Sequence, residues 1–350
     1  MRFSVLACVI VLSIVATGCG PGFASLPGHA LDAQGFPQKP VETASADGVK
    51  QPGHVSERTD QFNADAPLVL LVPGFFNSLL LGYTRSGTSG IESEPYFSQA
   101  IIETVEAKGY PVAVVNTLEP VSRIEPNGEL LLTFIRDLRA RRPDLAHRRI
   151  VMIGHSAGGL YSMYALNKDR TLPVDALVTI GTPFQGADLV ERIRNFAPVL
   201  ETLAEWVSLQ SLVELRPQRV AEFMKKIVLP TGLRVIVTGG SQKGCFLLSC
   251  SKAENLSWLM TLTGKIVGQP SDGVISTRSA FARDIDLHDA LGDNVIIERP
   301  KGLRFDLEHW EQVHDYRLFY ALGIKNVGKI EREQREFYSE ALDYVARPRP

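Results

Sequence analysis

One short motif constrains the fold of this 350-residue chain more than any other feature. The G-x-S-x-G sequence of residues 154–158 stands directly between an apolar run at residues 149–153 and a helix-forming stretch that Gly159 opens. A sharp turn from a strand into a helix needs small residues around the central serine and leaves that side chain exposed. Amides at the start of the helix also stabilise a developing negative charge. We therefore predict a strand, a turn and a helix that present Ser156 as a nucleophile.

The chain after residue 67 alternates short apolar runs with longer amphipathic stretches. The apolar runs predict strands at residues 68–72, 111–116, 149–153, 176–180 and 233–237. The amphipathic stretches predict helices at residues 96–108, 127–141 and 158–168, the second of them capped by Asn127. Strands that alternate with helices form a mostly parallel sheet with helices on both faces, so we predict one α/β domain over residues 67–350.

Residues 185–229 depart from this alternation, because only helix-forming sequence is found there. Apolar residues such as Leu189, Ile193, Leu200 and Trp206 recur through the segment. Two interpretations fit equally well: a helical cap over the carboxyl ends of the strands, or ordinary crossover helices between two strands.

The first segment of the chain predicts export. Arg2 precedes an apolar run at residues 5–16, which is too short to cross a bilayer as a mature helix but has the length of an export signal. The sequence Ala-Thr-Gly-Cys at residues 16–19 resembles the lipobox of bacterial lipoproteins. That resemblance implies a signal peptide over residues 1–18, a lipid on Cys19, and anchoring in the bacterial cell envelope, in the periplasm or at the outer membrane. The alternative is an ordinary signal peptide with an incidental cysteine.

The composition of residues 19–66 predicts a flexible tether. The segment is rich in Gly, Pro, Ala, Gln and Ser and contains few aromatic residues. Such a composition buries too little apolar surface to offset the entropy of ordering. A flexible segment of about 45 residues would hold the following domain roughly 35–40 Å from its anchor.

The four cysteines separate into different roles. Cys8 leaves with the signal peptide and Cys19 carries the lipid, so Cys245 and Cys250 are left together in an oxidising compartment. We predict a local disulfide between them, with two free buried thiols as the alternative. A metal site is disfavoured, because the pair lacks C-x-x-C spacing and nearby histidines.

The charge balance argues against one class of partner. The chain has 37 Lys and Arg residues against 39 Asp and Glu residues, for a formal net charge of −2. Binding to nucleic acid needs a surface rich in Lys and Arg, so nucleic acid is not an expected partner. No motif indicates an obligate protein partner.

A nucleophilic serine needs a histidine to take its proton and a carboxylate to orient that histidine. In the G-x-S-x-G architecture the acid and then the base follow the serine along the chain. Of the seven histidines, His288, His309 and His314 follow the serine. Asp272 is the candidate acid, because it precedes a glycine at a predicted loop crest, although an Asp-Gly pair is equally typical of a plain turn.

The oxyanion of an acyl-transfer reaction needs two amide donors. One is expected from Ala157, the residue after the nucleophile, and the other from a loop after an early strand. Residues 71–76 form such a loop, in which Gly74 lets the backbone approach the substrate and the Phe75 amide points inward. A Pro-Gly pair after a strand is otherwise a plain turn signal.

Six short motifs follow one another in order between residue 68 and about residue 319. They are V-P-G-F at residues 72–75, Y-F at 96–97, G-H-S-A-G-G at 154–159, I-G-T-P-F-Q-G at 180–186, S-D-G-V at 271–274 and H-W-E-Q-V at 309–313. Together they resemble the α/β-hydrolases of the bacterial triacylglycerol lipase type, which implies that fold and lipase or esterase activity. In such lipases the aspartate of the Asp-Gly pair is the acid, and a histidine followed four residues later by valine is the base. The matching residues are Asp272 and His309, with His314 as the fallback.

The sequence departs from those lipases at three places. Pro73 stands where they usually have histidine, Ala157 where they have glutamine, and Phe184-Gln185 where they have His-Arg. The backbone donors stay intact while the polarity of the acyl site changes. The family often holds a calcium ion near the base; Glu311 occupies the neighbourhood of one usual ligand without an identifiable partner, so we predict no metal and no cofactor.

These residues predict a hydrolase of carboxylic esters, acting on a small-molecule or lipid ester. The apolar residues Phe75, Phe76 and Phe184 favour an apolar acyl group over a charged substrate. Acyl transfer to an alcohol other than water would use the same residues. A non-catalytic, tethered binding protein on a hydrolase scaffold is the third possibility, but such a protein is expected to lack a triad member.

Overall fold

The computed structural model describes residues 54–56, 61–74, 96–118, 122–187, 213–241, 270–314 and 327–348. Over these residues the chain forms a sheet of six parallel strands in the order β2-β1-β3-β4-β5-β6. The strands are β1 Leu68–Val72, β2 Val112–Val114, β3 Ile150–His155, β4 Val174–Ile180, β5 Arg234–Thr238 and β6 Ile296–Glu298. The predicted α/β fold is confirmed, and β6 is a strand that the sequence analysis did not predict.

The helices of the described residues lie on both faces of this sheet. They are α1 Gln99–Ala107, α2 Ile124–Arg141, α3 Pro143–Ala146, α4 Ala157–Lys168, α5 Pro217–Met224, α6 Thr277–Ala280, α7 Leu287–Leu291 and α8 Val327–Val345. Among them, none combines the length and the apolar character that a membrane crossing requires.

The sheet is buried on both faces, which explains why its strands are almost continuously apolar. In β1, Leu68 and Leu70 belong to a core cluster that also contains side chains of α2, α4 and α5. Val69 and Leu71 point to the opposite face and belong to a second cluster with α1 and α8. Successive side chains of a strand point to opposite faces, so each of the strands β1 to β5 contributes to both clusters.

Helix α2 begins at Ile124 and not at Asn127, so the predicted cap is wrong. The side chain of Asn127 is fully buried and hydrogen-bonds to the hydroxyl of Tyr161 on α4. Pro126 lies in the first turn of the helix, where proline is tolerated because the N–H groups there have no partner within the helix. The Asn127 side chain therefore makes a tertiary contact with Tyr161 and does not cap the helix.

The described residues before β1 pack against the domain, although the sequence analysis placed them in the tether. Val55 forms an antiparallel bridge with Ala113, and the Ser56 amide donates to the Val112 carbonyl at 2.9 Å. Phe62 is 8% exposed, and Arg148 donates to the carbonyl oxygens of residues 63 and 66 at 2.7 Å each. The packed part of the chain therefore begins before residue 67, and it covers the free edge of β2.

The segment that we considered as a cap is described at residues 185–187 and 213–229 only. There the Ala187 amide donates to the Leu215 carbonyl at 2.7 Å. Helix α5 buries Val220, Phe223 and Met224 in the core cluster of α2 and α4. The described part is thus packed on the domain in the connection from β4 to β5, and residues 188–212 lie outside the described residues.

Candidate active site

Ser156 occupies the single position between β3 and α4. Its backbone adopts φ 54° and ψ −131°, a conformation that costs a non-glycine residue about 1–3 kcal/mol. The neighbouring structure holds it there, because the Ser156 amide donates to the Ile180 carbonyl at 2.8 Å and the Thr182 hydroxyl donates to the Ser156 carbonyl at 3.0 Å. The predicted strand–turn–helix unit therefore exists, with the serine at its strained centre, but the serine is only 5% exposed and not open to solvent as expected.

The glycines of the motif are required by crowding. A Cβ atom on Gly154 would lie 2.7 Å from the Gly159 nitrogen, closer than real Cβ contacts allow. A Cβ atom on Gly158 would overlap the carbonyl oxygen of Val72 at the end of β1. Small residues thus let the turn pass between β1 and the first turn of α4.

The structure brings Ser156, His309 and Asp272 together, although they are far apart in the sequence. The Oγ atom of Ser156 lies 3.0 Å from Nε2 of His309, and Nδ1 of His309 lies 2.8 Å from Oδ2 of Asp272. Because a carboxylate oxygen accepts and does not donate, Nδ1 of His309 carries the proton. The lone pair of Nε2 then faces the serine hydroxyl, which is the arrangement of a general base beside a nucleophile.

The carboxylate of Asp272 is fully buried and accepts four hydrogen bonds. Its Oδ1 accepts from the amides of Val274 and Ile275 at 3.1 and 2.8 Å. Its Oδ2 accepts from His309 and from Nε2 of Gln312, the latter at 3.1 Å. These donors stabilise the negative charge in a position without solvent. Asp272 thus organises its Asp-Gly turn and also holds the histidine, so the two interpretations of this residue do not exclude each other.

The carboxyl ends of β3, β4 and β5 converge on this point. Gly181 follows β4 with φ 58°, and a Cβ atom there would lie 3.2 Å from Oδ2 of Asp272. The loop with His309 is tied to the end of β5, where the Phe305 amide donates to the Gly239 carbonyl at 3.1 Å. The His309 amide donates to the Asp272 carbonyl at 2.9 Å, which joins the acid and base loops.

One of the two predicted oxyanion donors is described. Ala157 is the first residue of α4, so its N–H belongs to the helix N-terminus that faces the nucleophile. Gly74 shows how closely the loop after β1 approaches, since a Cβ atom on it would lie 2.7 Å from Cβ of Ser156. Phe75 and Phe76 lie outside the described residues, as do Cys19, Cys245 and Cys250.

The other candidate bases do not contact the serine. His288 is exposed on α7. His314 packs between Tyr96 and Trp310, with ring centroids at 4.6 and 5.6 Å, and burial lowers its pKa to about 3. Of the three histidines that follow the serine, His309 alone has a hydrogen bond to Ser156.

Sequence reasoning missed four side chains that support the site. Tyr96, His155, Thr182 and Gln312 all hydrogen-bond to the three central residues or to one another. Each lies inside or beside one of the ordered motifs, but nothing in the local sequence shows what its side chain contacts. His155 lies inside the G-x-S-x-G motif and is not a candidate base, and the structure places its ring between the Tyr96 hydroxyl and the His309 carbonyl.

Phe184 does not have the surroundings that the sequence analysis expected. It is 1% exposed and belongs to the core cluster that includes α4 and α5. The adjacent Gln185 amide donates to the Ser279 hydroxyl at 3.0 Å, and that hydroxyl donates to the Gly186 carbonyl at 2.7 Å. Phe184 thus contributes to packing of the core.

Among the described residues, the surroundings of Glu311 do not form the calcium site of the resembling lipases. The Glu311 carboxylate accepts from the Glu308 amide at 3.1 Å, and the Glu308 carboxylate accepts from the Glu311 amide at 3.0 Å. In the described part of the chain, no group of three or more His, Cys, Asp and Glu side chains is arranged to hold a metal ion. We derive no step through a metal ion.

Comparison with known proteins identifies the architecture. No protein-family model and no curated protein matches the chain. Among solved structures, the metagenomic carboxyl esterase MGS0156 is similar, with 16% identity, a TM-score of 0.55, and coverage of 81% of this chain and 76% of the esterase. Lipase 1 from Pelosinus fermentans is also similar, with 12% identity, a TM-score of 0.51, and coverage of 82% of this chain and 100% of the lipase. With its parallel sheet and its serine turn between β3 and α4, the chain has the α/β-hydrolase fold of lipases and esterases.

Proposed function

We propose that the protein is a serine hydrolase of carboxylic esters. The observation that carries the proposal is the continuous hydrogen-bonded contact from Ser156 through His309 to Asp272, at 3.0 and 2.8 Å. The serine stands on a strained turn beside a helix N-terminus, which is the arrangement that acyl transfer needs. The similarity to a carboxyl esterase and a lipase supports the same class of reaction.

In the proposed first half-reaction, Oγ of Ser156 attacks the ester carbonyl while Nε2 of His309 takes the hydroxyl proton. Asp272 stabilises the resulting imidazolium, and the amides of Ala157 and Phe75 hold the oxyanion. The tetrahedral intermediate collapses when His309 gives its proton to the leaving alcohol. The product is an acyl group on Ser156.

In the second half-reaction, water replaces the alcohol. His309 takes a proton from water as the water oxygen attacks the acyl carbonyl, and it returns the proton to Oγ of Ser156 when the bond breaks. The carboxylic acid leaves and the free serine is restored. Neither half-reaction needs a group beyond the residues already named.

The proposed substrate is an ester with an apolar acyl group. Support comes from the sequence that follows β1, where Pro73, Phe75 and Phe76 are apolar. The buried carboxylate of Asp272 is occupied by its four donors and offers no charge to a substrate. On the sequence evidence we also propose export, a lipid on Cys19 and a disulfide between Cys245 and Cys250.

A series of p-nitrophenyl esters from acetyl to long-chain acyl tests the substrate class. Each additional buried methylene contributes about 0.8 kcal/mol, so kcat/KM should rise by up to about 15-fold for each added pair of carbons until the pocket ends. A value that falls steadily from acetyl upward would contradict an apolar acyl site.

The catalytic assignment is tested by comparing Ser156→Ala with Ser162→Ala. Both replace a buried serine, Ser156 as the N-cap of α4 and Ser162 in the middle of the same helix. The Ser162 hydroxyl donates to the Gly158 carbonyl at 2.8 Å and has no part in the proposed reaction. Ser156→Ala should lose ester hydrolysis by several orders of magnitude at an unchanged melting temperature, because the loss is chemical. Ser162→Ala should keep turnover. Comparable turnover by Ser156→Ala and the wild type would refute the assignment.

A further inference from the structure

Two buried side chains, Tyr96 and His155, connect the two sides of the site. The Tyr96 hydroxyl oxygen lies 2.7 Å from Nδ1 of His155. On the other side of the ring, Nε2 of His155 lies 3.0 Å from the backbone carbonyl oxygen of His309. His155 has no exposed surface and Tyr96 is 4% exposed, so water does not compete for these bonds.

The chemistry of the two partners determines the direction of both hydrogen bonds. A carbonyl oxygen only accepts, so Nε2 of His155 carries the proton and donates to His309. Burial lowers the pKa of His155 well below its ordinary value, and the neighbouring His309 and His314 lower it further, so the ring is neutral. Its Nδ1 atom therefore has a lone pair and accepts from the Tyr96 hydroxyl. Burial raises the pKa of Tyr96, so the hydroxyl keeps the proton that it donates.

The same hydroxyl reaches the loop after β1. The backbone of Gly74 hydrogen-bonds to Tyr96, and a Cβ atom on Gly74 would lie 3.0 Å from the hydroxyl oxygen. Gly74 immediately precedes Phe75, the predicted oxyanion donor. One set of bonds thus extends from the loop that is expected to hold the oxyanion to the backbone of the expected base.

We propose that Tyr96 and His155 are positioning residues, which hold the His309 backbone in register with Ser156 and with the loop at Gly74. This inference rests on the proposed function, because it assigns a role in the same reaction. The His309 amide is held by the Asp272 carbonyl at 2.9 Å, and its carbonyl is held by His155. With both backbone groups held, the ring returns to the serine oxygen after each proton transfer.

Neutrality of His155 is part of this role. Its ring centroid lies 4.6 Å from that of His309, so a positive charge on it would oppose formation of the His309 imidazolium. Both ring nitrogens of His155 are already engaged, and neither faces Ser156. His155 is consequently not a second base.

The matched substitutions His155→Gln and His155→Asn separate positioning from packing. Both remove the ring and keep an amide, but the glutamine nitrogen reaches the position of Nε2 and can donate to the His309 carbonyl. The shorter asparagine amide reaches only the position of Nδ1 and serves Tyr96. We expect His155→Asn to lower kcat about 10- to 100-fold with KM within about twofold, because misplacement of the base affects the transition state. We expect His155→Gln to lose less than about fivefold.

Three results would overturn the proposal: equal losses of kcat in the two variants, a larger loss of kcat in His155→Gln than in His155→Asn, or a rise in KM in place of the fall in kcat. Tyr96→Phe is the second variant, and it removes the hydroxyl that donates to Nδ1 of His155 and hydrogen-bonds to the Gly74 backbone. It should lower kcat about threefold to tenfold at unchanged KM. Wild-type kcat in Tyr96→Phe would contradict the part assigned to the tyrosine.

Nitrogen NMR of protein with ¹⁵N-labelled histidine provides a readout that does not need activity. One ring should remain neutral with its proton on Nε2 from pH 6 to 9, and this signal should be missing in His155→Gln. A charged ring, or a proton on Nδ1 of His155, would overturn the proposal. If the wild type hydrolyses no ester while the signal is present, the proposed function fails and the positioning contact stands.

Discussion

The substitution Asp272→Asn should change which nitrogen of His309 carries the proton. Oδ1 of Asp272 faces the amide donors of Val274 and Ile275, and Oδ2 faces the donors of His309 and Gln312. An asparagine must place its NH₂ group on one side and its oxygen on the other. The oxygen should replace Oδ1, because two backbone amides cannot move away from the turn that they form. The NH₂ group then faces Nδ1 of His309.

A donor at this position forces His309 into the tautomer with its proton on Nε2. That proton points at Oγ of Ser156, so no lone pair is left to take the serine proton. The substitution of the acid in a Ser-His-Asp triad by asparagine lowers kcat by about 10⁴, and we expect the same order here. At about 1.36 kcal/mol for each factor of ten, the activation barrier rises by about 5 kcal/mol.

Steady-state hydrolysis of a p-nitrophenyl ester at pH 7–8 measures this loss, and thermal unfolding measures stability. The variant should lose about 1–3 kcal/mol of stability from the weakened hydrogen bonds, far less than its loss in activation free energy. Asp286→Asn is the matched control, because Asp286 caps α7 by accepting from the His288 amide at 2.8 Å and asparagine caps helices equally well. The control should keep wild-type activity. If Asp272→Asn stays within tenfold of the wild type, Asp272 is not the acid.

Three further predictions concern the other histidines and the lipid. His309→Ala should abolish ester hydrolysis while His314→Ala keeps most of it, measured as kcat on the same ester; loss in the His314 variant alone would reverse the assignment. Burial lowers the pKa of His314 to about 3 and that of His155 well below 6.5. The unfolded state therefore takes up protons at a higher pH than the folded state, and the free energy of unfolding falls as the pH drops below 6.5. Unfolding in urea from pH 7 to pH 4 should show this fall. His314→Phe should reduce the dependence of the free energy of unfolding on pH by about 1.4 kcal/mol per pH unit. The same dependence in the variant and the wild type would contradict the reasoning. Cys19→Ser should release active protein from membranes in fractionation, whereas a mature N-terminus elsewhere than residue 19 would defeat the lipoprotein prediction.

The parts of the fold that were predictable from sequence are those with a continuous local signal. The strand β1 matches its apolar run residue for residue, because both faces of the sheet are buried and no polar residue interrupts it. The position of Ser156 in the turn between β3 and α4 was predictable, because this turn needs glycines on both sides of the serine. The cap predicted at Asn127 was wrong, because the sequence does not distinguish an asparagine that caps a helix from one that is buried against Tyr161.

The parts that were not predictable depend on contacts between distant residues. Val55 and Ser56 join the edge of β2 through backbone groups, which leave no side-chain pattern to recognise. The contact of His155 with the His309 carbonyl spans 154 positions of the chain, and no local rule predicts it. The disulfide at Cys245 and the lipid at Cys19 stay predictions.

Covalent labelling of Ser156 tests the proposed acyl-enzyme mechanism most directly. The wild-type protein would be treated with an aryl alkylphosphonate, which reacts with activated serines, and then measured by intact-mass spectrometry and peptide mapping. We predict one adduct per chain, located on Ser156, with loss of ester hydrolysis in proportion to labelling and no adduct in Ser156→Ala. An adduct on another serine, or hydrolysis that persists in the fully labelled protein, would contradict the account.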